Sequence, residues 1–250
     1  MDAKLFSAVL DIAEQMIEVG AEIHRVEDSI RRVCKAYGVK RVDVYATTSN
    51  VILSVEDETL TTHTRRIRQT GTDIEKLDQL NTLVRDMTER TPTAEDIQAR
   101  LAAIRRTSGY PTAVTVLMYG VIAASFCLFF GGRNLAEISA AAIIGLLVGL
   151  TSKGVEHFTL NKLLSRFLCS FLACGGAFLC LRFGWIPKVD NVIIGNIMSL
   201  IPGIGLTNSL RDLFTGDSIT GILRSIEAVL LALAIAGGYL LAAFLAGGAL

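Results

Sequence analysis

Residues 112–130 carry no charged side chain. That length matches the roughly 20 apolar residues an α-helix needs to cross about 30 Å of hydrocarbon. Three further segments, 135–152, 163–183 and 222–248, are long and apolar in the same way. Between the last two, 191–206 is apolar but short and is interrupted by Pro202-Gly203. Lipid offers no partner to a backbone N–H or C=O, so such segments must be helices. The expected second domain, 111–250, is therefore all-α, with about five transmembrane helices, one of them broken.

The charge is distributed accordingly. Residues 1–110 hold 16 Lys/Arg and 18 Asp/Glu, whereas 111–250 hold 8 and 6. The first 110 residues thus read as a separate domain outside the bilayer. Across the whole chain the formal charge is zero, which argues against a nucleic-acid partner, since that would demand a basic face. A mean hydropathy of +0.49 and 19% charged residues exclude disorder.

Within the first domain, Leu5, Val9, Ile12, Met16 and Val19 recur at helical spacing over 3–19. Ile23, Val26, Ile30, Val33 and Cys34 continue the pattern over 22–37, and Gly38 suits a helix end. The period then changes to that of short strands around Val39–Val44, Val51–Val55 and Leu60–Ile67, with turns at Ser49-Asn50 and Glu56–Glu58. Helices return over 73–89, from Thr72 or Asp73, and from Thr93 to about Thr107. The layout is α+β.

No uninterrupted apolar stretch opens the chain, so a signal peptide is not expected. The Lys/Arg bias of the short loops places Lys153, Lys162, Arg166, Arg211 and Arg224 on the inner side and Arg133, Arg182 and Lys188 outside. The first domain is then cytoplasmic, and five spans leave the C-terminus outside. The five cysteines read as small buried residues. Their spacing fits no zinc pattern, and no P-loop or serine-nucleophile elbow is present. No metal or cofactor is expected.

The segment 198–217, MSLIPGIGLTNSLRDLFTGD, is where chemistry is expected. Backbone broken at membrane depth needs its freed polar groups satisfied by protein, water or substrate, and in transporters such breaks mark substrate sites. Asn196, Ser199, Pro202, Gly203, Thr207, Asn208, Arg211 and Asp212 are the candidate substrate contacts. Arg211 could bind a carboxylate bidentately or pair with Asp212. Asn196 and Ser199 could equally hydrogen-bond a neighbouring helix. Asp217 and Glu227 are candidates for coupling or gating, because an intramembrane carboxylate can carry a proton; an Arg224–Glu227 ion pair is the structural alternative. In the first domain, Glu22, Arg25 and Glu27 crowd one helix start, and Arg25 could pair with Glu22 or Asp28. Small residues at four-residue spacing, Ala141-Gly145-Gly149 and Gly120-Ala124, suit close helix packing.

Two of these segments, GAEIHRVEDSIRRV and IPGIGLTNSLRDLFTGDSITGILRSIEA, resemble the threonine/serine exporter (ThrE-like) family. The resemblance extends over nearly the whole chain and singles out Pro202, Gly203, Thr207, Asn208, Arg211, Asp212, Gly216 and Asp217, with Glu22, Arg25 and Glu27. It implies secondary export of threonine and serine, or of a small dicarboxylate such as succinate. Full-length members look like two five-span halves, and this chain resembles the first. It is similar to the YjjP-like type of split pairs, which implies a smaller YjjB-like membrane subunit as partner; a homo-oligomer is the alternative. A membrane-anchored hydrolase using the first domain, for which no recognisable nucleophile–base pair or metal set is present, and a non-transporting scaffold are the competing functions.

Overall fold

The computed structural model describes residues 2–56, 60–158 and 161–247, and for 156–158 the backbone alone. Contacts divide the chain into two compact units, Met1–Ser108 with Ile204–Ser225, and Gly109–Gly203 with Ile226–Leu250.

The first unit opens with α1 (Ala3–Glu18) and α2 (Ile23–Ala36), continues through β1 (Arg41–Ala46), β2 (Asn50–Glu56) and β3 (Leu60–Arg66), and adds α3 (Ile74–Arg90) and α4 (Ala94–Arg106). Helical spacing puts Leu5, Val9, Ile12 and Met16 on one buried face of α1. The strands form an antiparallel sheet in the order β1-β2-β3, with Leu53 opposite Val44 and His63. β2 alternates as a half-buried strand should: Val51, Leu53 and Val55 enter the core with Leu80, Leu83, Met87 and Ile97. The helix starts follow the expected chemistry. Asp73 accepts from the Lys76 amide at 3.0 Å and Thr93 from the Asp96 amide at 3.3 Å. Of the expected turn at Glu56–Glu58, residues 57 and 58 lie outside the described residues.

The second unit contains α5 (Thr112–Phe129), α6 (Leu135–Phe158), α7 (Lys162–Arg182) and α8 (Asp190–Ile197). After a non-helical stretch come α9 (Gly203–Thr215) and α10 (Ser218–Leu245). All of α9 but Gly203, and α10 up to Ser225, belong to the first unit. Among the described residues, four helices are long and apolar enough to cross a membrane: Thr112–Phe129, Leu135–Val155, Lys162–Arg182 and Ser218–Leu245. The apolar stretch 191–206 is not a continuous helix, because the backbone leaves the helix over 198–202 around Pro202. Two boundaries differ from expectation. α6 runs past residue 152, since nothing there breaks a helix, and α10 starts at Ser218, a turn before 222. The end of the expected last span, Gly248, and the His157 side chain lie outside the described residues.

Helix directions follow from side-chain contacts. A Cβ on Gly145 would stand 2.7 Å from the Tyr119 carbonyl oxygen and one on Gly149 3.1 Å from Val116 Cα, so α5 and α6 are antiparallel. Gly176 faces Ile144 and Cys169 Sγ reaches the Val148 carbonyl at 3.8 Å, so α7 opposes α6. α8 runs parallel to α6, with Asn191 Nδ2 donating to Glu137 at 3.3 Å and Asn196 Nδ2 to the Ala141 carbonyl at 3.3 Å. α10 runs parallel to α7. Ser170 Oγ donates to the Ile235 carbonyl at 2.7 Å, and Lys162 lies 3.6 Å from Glu227. The small-residue stripe is thus a packing surface, because a larger side chain at Gly145 would meet backbone.

Candidate functional site

The turn between α1 and α2 is built around Gly20. Its φ of +96° lies in the left-handed region, and a Cβ there would stand 2.6 Å from the Gly71 carbonyl oxygen. Only glycine meets both conditions. The turn is pinned from outside by Gly71 N–H donating to Glu18 O at 2.8 Å and Asp73 N–H to Val19 O at 3.0 Å.

This turn presents two carbonyls and a carboxylate to the segment 204–225. Asn208 Nδ2 donates to Gly20 O at 3.3 Å. Arg224 donates through Nη2 to Ala21 O at 3.0 Å and through Nη1 to Asp212 Oδ2 at 2.7 Å. Arg211 pairs with Glu22. Ser225 Oγ donates to Ser209 Oγ at 3.2 Å, bracing α10 on α9. The two helices meet through a turn at Gly216, whose φ is +99°, and they approach so closely that a Cβ on Gly221 would stand 2.9 Å from the Leu213 nitrogen.

The two charge pairs are physically different. The Arg224 and Asp212 side chains are 12% and 1% exposed, so this pair is withdrawn from water. The Arg211 side chain is 56% exposed and that of Glu22 13%; the guanidinium keeps access to solvent. Burial raises the Asp212 pKa, the charge of Arg224 and the backbone amide of Ile23 oppose the rise, and Asp217 adds to it. Glu27 accepts from the Ala46 amide at 2.8 Å. Burial raises its pKa against that hydrogen bond, and Asp217 again adds to the rise. Asp212, Asp217 and Glu27 therefore form one electrostatic group. One oxygen each of Asp212 and Asp217 is buried without a hydrogen bond among the described residues.

The first unit thus brings together Glu22, Arg25, Glu27, Asn208, Arg211, Asp212 and Asp217, and Thr207 lies on the same helix. Asn196, Ser199 and Glu227 belong to the second unit. Asn196 is buried and donates to Ala141 O of α6 and to Val192 O at 2.9 Å, which is the helix-bridging role; Ser199 Oγ donates back to Asn196 O at 2.8 Å. Four pairs offered as alternatives do not form: Arg211–Asp212, Arg224–Glu227, Arg25–Glu22 and Arg25–Asp28. Arg211 takes Glu22 rather than Asp212. Arg224 takes Asp212 rather than Glu227, and Glu227 takes Lys162. Asp28 takes Arg31 at 2.8 Å rather than Arg25. Sequence spacing favours partners three or four residues apart, as Asp28–Arg31 shows, whereas for Asp212 burial favours the partner that completes its desolvated hydrogen bonds. The sequence does not single out Gly20 and Ala21, because backbone carbonyls carry no signal in it, and it offers Arg224 only as a partner of Glu227.

Among the described residues no group of three or more His, Cys, Asp or Glu could hold a metal ion. The cysteines are free, and burial pushes the Cys34 thiol up to about 11.

The ThrE family, described as "Putative threonine/serine exporter", matches residues 7–246. The chain is 24% identical over 237 residues to the "Probable succinate transporter subunit YjjP" of Klebsiella aerogenes, covering 93% of this chain and 90% of that protein. To the protein of the same description in Escherichia coli it is 25% identical, with 91% and 89% covered. It is 26% identical to the "Threonine/serine exporter" of Corynebacterium glutamicum, covering 88% of this chain but 46% of that protein. No solved structure matches the chain. A match across nearly all 250 residues, including both charged segments that meet at the α1–α2 turn, shows that the chain belongs to the threonine/serine exporter family.

Proposed function

We propose that the chain is one subunit of a secondary exporter for small carboxylate-bearing metabolites, such as threonine, serine or succinate, and that it works with a second, smaller membrane subunit. The observation that carries the reading is the anchoring of the polar series after the Pro202 break on the Glu22 turn, through Asn208, Arg211 and, by way of Arg224, Asp212. A broken span continued by fixed donors and an accessible guanidinium is what recognition of a carboxylate requires. Thr207, Asn208 and Arg211 are cargo contacts in this reading, and Asp217 and Glu227 serve coupling or gating.

Five passes are favoured by the helix directions. α7 and α10 are parallel, so the chain between them has to return to the end from which α7 started. That return runs through α8 and the break at 198–202. An odd number of passes puts the N-terminal domain and the C-terminal end of α10 on opposite sides, with the N-terminal domain in the cytoplasm by the Lys/Arg bias. Coverage of 46% of the Corynebacterium exporter, and the word subunit in the names of the shorter relatives, favour a partner.

Reconstitution in liposomes tests the proposal. Loaded threonine, serine or succinate should leave vesicles that hold both subunits and be retained by vesicles with this chain alone. Efflux from the chain alone would replace the partner with a homo-oligomer. Retention of all three in both preparations would overturn the exporter reading.

A further inference from the structure

Beside the Arg211–Glu22 pair, the first unit holds a cleft of about 160 Å³ between the α1–α2 turn, α3 and α9. At roughly 30 Å³ per water it has room for a metabolite of the size of a small amino acid. It is well below the roughly 300–1,000 Å³ of sites for drug-sized ligands. Its polar wall consists of Glu22, Arg25, Asn81 and Asn208, and Met16 and Leu77 are among its apolar lining.

The charges of this wall have a definite arrangement. Glu22 and Arg25 stand three residues apart at the start of α2, on neighbouring positions of one face. They do not pair with each other, because Glu22 turns to Arg211, and Arg25 has no ion pair among the described residues. A negative and a positive group thus line one small cleft side by side. The Asn81 side chain has no hydrogen bond among the described residues, and Asn208 spends only one amide N–H on Gly20 O. Both amides can therefore serve a ligand. A carboxylate is complementary to Arg25 and an ammonium to Glu22, whose second oxygen is not taken by the Arg211 contact. A short hydroxylated side chain would find the amides. A dicarboxylate would bring its second anion against Glu22.

We infer that this cleft is a binding site for a small zwitterionic amino acid, held by its carboxylate on Arg25, by its ammonium on Glu22, and oriented by Asn81 and Asn208. The inference rests on the exporter reading for the role of the ligand as cargo, and on the cleft alone for its binding.

Equilibrium binding of radiolabelled L-threonine and L-serine to the purified full chain in detergent tests it, with succinate as competitor. Saturable binding is expected. Arg25→Gln and Asn81→Leu should each weaken it at least tenfold, and succinate should not compete. Both positions lie off the hydrophobic core, so unchanged melting temperatures are expected. Glu22→Gln should weaken the amino acid and let succinate compete. Binding that survives Arg25→Gln and Asn81→Leu unchanged, no binding at all, or succinate binding in preference to threonine would each overturn the site. Liposome transport separates the two readings. Binding by a protein that does not transport, even with its partner, overturns the exporter reading and leaves the site. Transport that is equal for wild type and Arg25→Gln does the opposite.

Discussion

Arg224 ties Asp212 to Ala21: one guanidinium donates to a carboxylate twelve residues before it and to a backbone carbonyl 203 residues before it. With its carboxylate 1% exposed, the pair is a structural lock between the α9–α10 turn and the α1–α2 turn. Removing one member of a buried pair strands the other. Asp212→Ala and Arg224→Ala are each expected to cost about 3–5 kcal/mol and to lower the melting temperature of the purified protein in detergent. Asp212→Leu combined with Arg224→Met should recover much of that loss, because both charges leave together.

Arg211 should behave differently. In its pair with Glu22 the arginine side chain is 56% exposed, and pairs that keep contact with solvent contribute roughly 0–1 kcal/mol. Arg211→Ala is expected to leave the melting temperature nearly unchanged and to abolish export in vesicles carrying both subunits. Normal export by this variant would remove Arg211 from the cargo contacts.

Packing of α5 on α6 depends on glycine. A Cβ on Gly145 meets the Tyr119 carbonyl at 2.7 Å and Ala123 Cβ at 2.8 Å, so Gly145→Leu has to push two helix backbones apart. It should greatly reduce the yield of folded protein by size-exclusion chromatography. Gly154, with nothing within 4 Å of a Cβ, should accept alanine with a gain of up to about 1 kcal/mol.

Glu27 sets a pH dependence. Its pKa is raised in the fold, so the folded state holds the proton more tightly than the unfolded chain. The stability it contributes is complete below the ordinary glutamate pKa and is lost as pH rises through the raised value. Glu27→Gln keeps an oxygen for the Ala46 amide and cannot ionise. Melting curves from mildly acidic to neutral pH should therefore fall less steeply for the variant than for wild type. Asp212 acts in the same direction, so some slope should persist.

The parallel course of α7 and α10 predicts topology. An alkaline-phosphatase fusion after Leu245 should be active and a green-fluorescent fusion there dark, with the opposite result for fusions ahead of α1. A fluorescent C-terminal fusion would mean that the chain crosses an even number of times.

Much of the fold was legible because local rules decided it. The amphipathic stripe of Leu5, Val9, Ile12 and Met16, the alternation of Val51, Leu53 and Val55, the caps at Asp73 and Thr93, and the uncharged run 112–130 each depend on neighbours within a few residues. The break at Pro202 was legible for the same reason, since proline removes a helical hydrogen bond wherever it stands. The polar series after it could be recognised as a group, but the partners of its members could not.

By itself the sequence determined the element types, the apolar lengths and the family. Tertiary structure alone decided that 204–225 packs with the first unit, that Arg224 rather than Arg211 binds Asp212, and that Glu22 and Arg25 face one cleft without pairing. The physical reason is desolvation. A charge near the surface can accept any neighbour at helical spacing, but one that is buried needs the partner and the backbone carbonyl that together satisfy it. Here those groups come from Ala21 and Arg224, at opposite ends of the chain, where no sequence period connects them.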